Sequence, residues 1–419
     1  QLYHFVVLNF HADDRARLTF SNMGLQQGTT FEFADVELAE GGECDFIKRG
    51  IDSKNVSLLS LSDSSGVPLA YKNLFMNFLY DTERTYWKTM REYIKNTLGV
   101  KALQMGTIAS TSTTGLMQEF DIIDSHAYWH HPSFPVTSWD MSHYYVDNPP
   151  LVQALGGGTL TGLATQRVYG KPFSVTEYDH PYPSQYSAEM IPLFASFASF
   201  QDWDMIFNFA YDISQRVDKT SGGDAPKING YFDQANNPAK TPANTVGARI
   251  FRNFLVKPGE QLVYAIKTRE SEREKLNDSI SWDIAPPRSF NLLPEYALVH
   301  QIGFVWGETE ADAATSLANL ADREQKNAHA VVNIDECKNE YNQIVAARKA
   351  GMMTVSDTDE IAWNAVQGYF TVHADKAFVT VAFPSAAAAL RASTSAVASA
   401  ADAPKATAAQ ASGGAAKSA

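Results

Sequence analysis

Residues 171–181 read KPFSVTEYDHP, a short β-rich run that ends on Glu177 and passes at once into Tyr178, Asp179, His180 and Pro181. Strand alternation predicts Phe173, Val175 and Glu177 on one face, so the carboxylate continues an apolar row and emerges where the strand stops. Glutamate is a poor strand residue, and here it sits at the lip of a core. A carboxylate in that place is a candidate nucleophile. Taken alone, the stretch reads equally well as a solvated glutamate at a strand end.

The neighbouring segments bear on that choice. From about residue 78 to 255 helical and strand patterns alternate, which predicts an α/β class built of parallel βαβ units. Asp81 is expected to cap a helix whose apolar positions are Tyr86, Met90, Tyr93 and Ile94, and Gly99 to close it before KALQMGT. In FDIIDSHAYWHHP, Asp124, His126 and Tyr128 share one strand face, so three polar groups converge at one strand end. A helix from near Ser187 carries Met190, Leu193, Phe194 and Phe197 at helical spacing, and DMIFNFAYD supplies a further strand. Four strands are thus counted. In a (β/α)8 barrel the chemistry is assembled at the carboxyl ends of such strands.

Four stretches, FLYDTERTYWKTMREYIKNTLGVKALQMGT, DIIDSHAYWHHPSFPVTSWD, GKPFSVTEYDHPYPSQYSAEM and ASFQDWDMIFNFAYD, resemble the clan A glycoside hydrolases. The likeness is to large bacterial proteins that combine a barrel with carbohydrate-binding-like β-sandwich modules. It implies that residues 75–257 are barrel strands five to eight and residues 1–47 the closing strands of a jelly roll. Residues 258–384 would form a C-terminal β-sandwich with a helical insertion near 309–350. Residues 385–419, rich in Ala and Ser, are expected to be a disordered tail. The chain is therefore expected to be a fragment: a complete barrel needs about 250 residues, and the segment before residue 75 does not read as βα units. By itself such a piece is expected to be poorly stable, with two open sheet edges, and catalytically silent.

The resemblance also assigns roles. Glu177 is the nucleophile of a retaining glycosidase, and Tyr128 and His126 are the sixth-strand pair that serves it. Their bland reading is a buried tyrosine and histidine satisfied by backbone. Trp129, Trp139, Tyr178, Asp179, His180, Trp203 and Tyr211 are candidate substrate contacts. Asp179 stands where the family commonly has Asn, adding a negative charge close to the nucleophile. The acid that protonates the leaving group ends strand four in the clan and is expected upstream; Glu119 and Glu189 are poorly placed to replace it. SDTDEIAW resembles a C-terminal pattern in which Gly usually stands at the position of Asp359.

Other chemistries find little support. His126, His130, His131, His143 and His180 lie close in sequence, but no HExxH occurs, so no catalytic metal is expected. No GxGxxG opens a helix after a strand, and no cofactor is implied; GGG at 156–158 reads as a turn or helix break. The formal charge of -13 argues against nucleic acid or an anionic membrane as partner and suits a neutral glycan. Cys44 and Cys337 belong to no CxxC pattern, and apolar runs are too short to span a bilayer. Secretion or a periplasmic location follows from the resemblance alone. Two further readings stay open: a non-catalytic glycan-binding protein on a degenerate barrel, and an unrelated barrel enzyme with Glu177 as general base.

Overall fold

A computed structural model describes residues 69–109, 111–213, 228, 230–279, 287–382 and 385–390. The jelly-roll expectation for residues 1–47 lies outside them. The described chain opens with helix α1 (Leu69–Glu92), which continues through a π-turn at Tyr93–Thr97. Gly99 then takes φ +67°, the left-handed value that only glycine adopts freely, so the helix stops where the sequence predicts. Its start differs. Asp81 lies inside α1 rather than at its cap, and its carboxylate meets Arg269 at 3.1 Å and Arg273 at 3.2 Å. The buried face differs as well: Met76 and Tyr80 are in the core while Tyr86, Met90 and Tyr93 are exposed. The earlier apolar positions are the ones packed against the helix Arg269–Ser279.

After the short α2 (Thr114–Met117) come strand β1 (Ile123–Tyr128), α3 (Gly158–Ala164), β2 (Phe173–Asp179), α4 (Met190–Phe200), β3 (Met205–Ile206) and α5 (Lys240–Arg252). The three strands form one parallel sheet in the order β1-β2-β3, and Met105 extends it by a single parallel bridge to Ile122. The expected KALQMGT strand is thus reduced to one bridging residue. Order and direction are those of consecutive βα units; among the described residues no barrel closes. Every residue of α4 is buried: α5 packs along it, the strands Ala377–Ala382 and Ser385–Leu390 touch it, and Phe194 stacks on Tyr178 of β2.

β1 and β2 do not run in simple register. Ser125 pairs with Val175, but His126 pairs with Glu177, so Thr176 is an extra residue in β2. A bulge of this kind re-aims the side chain that follows it. Phe173 and Val175 point to the core face with Tyr178, whereas Glu177 turns to the opposite face beside His126 and Tyr128. The predicted row of Phe173, Val175 and Glu177 is corrected accordingly.

The region read as a C-terminal sandwich begins differently. Strands β4 (Gln261–Thr268), β5 (Gln301–Gly307) and β6 (Ala330–Asn333) are parallel, in the order β5-β4-β6. Helix α6 (Arg269–Ser279) joins the first two and α7 (Glu310–Lys326) the next, which is βα connectivity. Thr309 caps α7 in a reciprocal box with Asp312. Alternating apolar residues suit either pairing, and the intervening helices decide for the parallel one.

Only after α8 (Lys338–Lys349) does an antiparallel meander follow: β7 (Thr354–Val355), β8 (Ile361–Asn364), β9 (Tyr369–His373), β10 (Ala377–Ala382) and β11 (Ser385–Leu390). Asp359, in the turn before β8, holds φ +56°, the left-handed conformation that favours the glycine of the resembled pattern. Residues 385–390 pair with β10, so the start of the expected tail is an edge strand; residues 391–419 lie outside the described chain. One buried apolar cluster runs from Met76 through β2, α4 and β5 to Val381. No core boundary therefore falls at residue 257.

Candidate active site

The carboxyl ends of β1 and β2 open on a cleft of about 410 Å³, lined by Tyr128, His131, Trp139, Met141, Glu177, Phe209, Ile213, Gly230, Tyr231, Phe232 and Asp233. Glu177 is its acid. The Tyr128 hydroxyl donates to Oε2 of Glu177, and His126 Nδ1 stands 3.4 Å from the same oxygen. Burial raises the Tyr128 phenol far above its ordinary value and the adjoining Glu177 raises it further, so the phenol keeps its proton and can only donate to the carboxylate.

His126 is held from behind. Its Nε2 lies 2.8 Å from Thr176 Oγ1 and 3.2 Å from Asp124 Oδ2. Asp124 is buried and accepts from Ser174 Oγ at 2.5 Å, Thr176 N at 3.1 Å and Thr176 Oγ1 at 2.6 Å. Burial alone would raise its carboxyl. The donors His126, Ser174 and Thr176 outweigh that and hold it below the ordinary aspartate value.

Aromatic rings build the cleft walls. Phe232 packs on Tyr128 with ring centres 4.7 Å apart, and His131 meets Tyr128 edge-on at 5.4 Å. Trp139 lies 5.5 Å from His131, and its ring is more than half exposed. Such walls offer flat apolar faces beside a carboxylate.

Of the residues singled out from sequence, Glu177, Tyr128 and Trp139 line the cleft and His126 supports it. The others go elsewhere. Tyr178 is fully buried and stacks on Phe194 at 4.1 Å. Asp179 is buried in an ion pair with Lys240 at 2.6 Å, so it is not a substrate contact. His180 is sealed beneath the strand end, 3.2 Å from the Tyr178 hydroxyl; burial, then the charge of Lys240, push its imidazole well below the ordinary value. Trp203 packs on Phe173 and Phe197 in the core. Trp129 donates to the carbonyl of Pro149 and leans on the core. Tyr211 is exposed but does not line the cleft.

Phe209, Tyr231, Phe232 and Asp233 were not singled out from sequence, and His131 was weighed there only as a metal ligand. They sit on irregular segments, where periodicity carries no information about facing. The two other carboxylates considered are engaged away from the cleft: Glu119 pairs with Arg84 at 2.6 Å, and Glu189 accepts from the backbone N–H groups of Leu151 and Val152. Among the described residues no group of three or more His, Cys, Asp or Glu is placed to hold a metal, and no helix is long and apolar enough to cross a membrane. No protein-family model, curated protein or solved structure matches the chain.

Proposed function

We propose that the chain carries the nucleophile side of a retaining glycoside hydrolase acting on an oligo- or polysaccharide. The observation that supports it best is the convergence of Tyr128 and His126 on one oxygen of Glu177 at the floor of an aromatic cleft. An ionised carboxylate steadied by donors on one oxygen keeps the other free to attack. Glu177 would form a bond to the anomeric carbon as the leaving oxygen departs, giving a glycosyl ester. Water would then attack the same carbon and free the carboxylate.

The second acid of such a pair protonates the leaving oxygen and later takes the proton of the attacking water. In retaining enzymes it stands about 5 to 5.5 Å from the nucleophile. The resemblance assigns it to a fourth barrel strand outside residues 75–257, with the β1-β2-β3 sheet as part of that barrel. The exposed face of Trp139 suits the apolar face of a sugar ring. A secreted or periplasmic protein would meet such substrates.

A 2-deoxy-2-fluoro glycoside with a dinitrophenyl leaving group isolates the step that Glu177 performs, because that group departs without protonation. Incubation should add the mass of the fluoro sugar to the peptide that contains Glu177, and E177Q should stay unmodified. An unlabelled Glu177 peptide in protein that has consumed the reagent would overturn the assignment.

A further inference from the structure

The bulge at Thr176 places its hydroxyl and the Glu177 carboxylate on the same face of β2, with the ring of His126 between them. The hydrogen bonds around that ring determine where its proton sits. Thr176 Oγ1 has one proton, and Asp124 Oδ2 takes it at 2.6 Å. The hydroxyl therefore accepts from His126 Nε2 at 2.8 Å. Asp124 Oδ2 also faces that nitrogen, at 3.2 Å. An unprotonated Nε2 would turn its lone pair on a carboxylate oxygen, so the proton belongs on Nε2.

The consequence falls on the other nitrogen. Nδ1 faces Glu177 Oε2 at 3.4 Å. With Nε2 protonated, a neutral ring presents a lone pair to the carboxylate, and only the imidazolium presents N–H. We propose that Asp124 and Thr176 are positioning residues that fix His126 with its proton on Nε2, so that Nδ1 bonds to Glu177 only while the ring is charged. Among the described residues the groups facing the ring are Asp124 on β1 and Thr176 and Glu177 on β2, with the Tyr128 phenol on the same Glu177 oxygen. The catalytic meaning of this arrangement rests on Glu177 being the nucleophile; the tautomer does not.

Nitrogen-15 NMR of the full chain labelled at histidine reads the tautomer directly, with the His126 signals assigned by their loss in H126N. The neutral ring should carry its proton on Nε2, and the proton that makes it an imidazolium should be on Nδ1. In T176V, which keeps the shape of threonine, and in D124N, the neutral ring should move part of its proton to Nδ1. T176S should restore the native pattern. Labelling of Glu177 by the fluoro glycoside should slow as the native ring loses its Nδ1 proton, and T176V should escape about tenfold of that loss.

A native ring with its neutral proton on Nδ1 overturns the proposal, as does a tautomer unchanged in T176V. If D124N fails to fold, T176V and T176S carry the test. The expected tautomers without labelling of Glu177 would sink the glycosidase reading and leave the positioning roles standing. Normal labelling with an unchanged tautomer would do the reverse.

Discussion

The ammonium of Lys240 stands 2.6 Å from the carboxylate of Asp179, and both side chains are wholly buried. Lys240 opens α5 and also donates to the carbonyl of His180, so one side chain ties that helix to the end of β2. Burial pushes the Asp179 carboxyl up to about 7 against the pull of Lys240, and burial likewise depresses the Lys240 ammonium. Removing one partner of such a pair costs about 3 to 5 kcal/mol, whereas removing both costs much less. K240M should therefore lower the urea midpoint sharply, and K240M/D179N should recover most of the loss. Equal midpoints for K240M and the native protein would show that the pair holds nothing together.

Tyr128 is expected to serve Glu177 rather than the fold. Y128F deletes one hydroxyl and keeps the ring packed on Phe232, so stability should change by about 1 kcal/mol. The rate of labelling of Glu177 should nevertheless fall about tenfold or more on the proposed mechanism, because the contact that orients the carboxylate is gone. An unchanged labelling rate would remove Tyr128 from the site.

Two tryptophans give opposite expectations. Trp139 is 60% exposed at the cleft rim, so W139A should leave stability within about 0.5 kcal/mol while weakening binding of oligosaccharide ligands. Trp203 is 3% exposed among Phe173, Phe194 and Phe197, and W203A should cost about 3 to 5 kcal/mol. Isothermal titration for the first and denaturant unfolding for the second decide them. Loss of stability in W139A would place that ring in the core.

The pH dependence of stability should carry the signature of Glu189. Burial raises its carboxyl from 4.5 to about 7, although Leu151 and Val152 donate backbone N–H groups that oppose the rise. The folded state thus holds this proton more tightly than the unfolded chain. Its contribution is complete below about pH 4.5 and is lost as pH rises through about 7, with a slope of at most about 1.4 kcal/mol per pH unit. E189Q cannot titrate, so its unfolding free energy should vary less than that of the native protein across this interval. Parallel profiles for the two proteins would contradict the assignment.

Much of the local structure was legible in the residue pattern. Met190, Leu193, Phe194 and Phe197 mark α4 because a helix buried on several sides repeats apolar residues at its own period. Gly99 ends α1 because only glycine takes its backbone angle at little cost. Strand alternation put His126 and Tyr128 on one face near a strand end, and the resemblance joined them to Glu177. The parallel pairing of β4 and β5 was not legible, since alternation records burial but not strand direction.

Alone, the sequence determined that Glu177 lies near the end of one β-strand and His126 and Tyr128 near the end of another, although the first strand runs on to Asp179. Only the tertiary structure decided which way the carboxylate points. The bulge at Thr176 is held by Asp124, which lies 52 residues earlier and bonds to both the amide and the hydroxyl of Thr176. Asp179 is likewise withdrawn from the cleft by Lys240, 61 residues later. Hydrogen bonds and ion pairs over such separations leave no local periodicity, so they are settled when the strands and α5 come together.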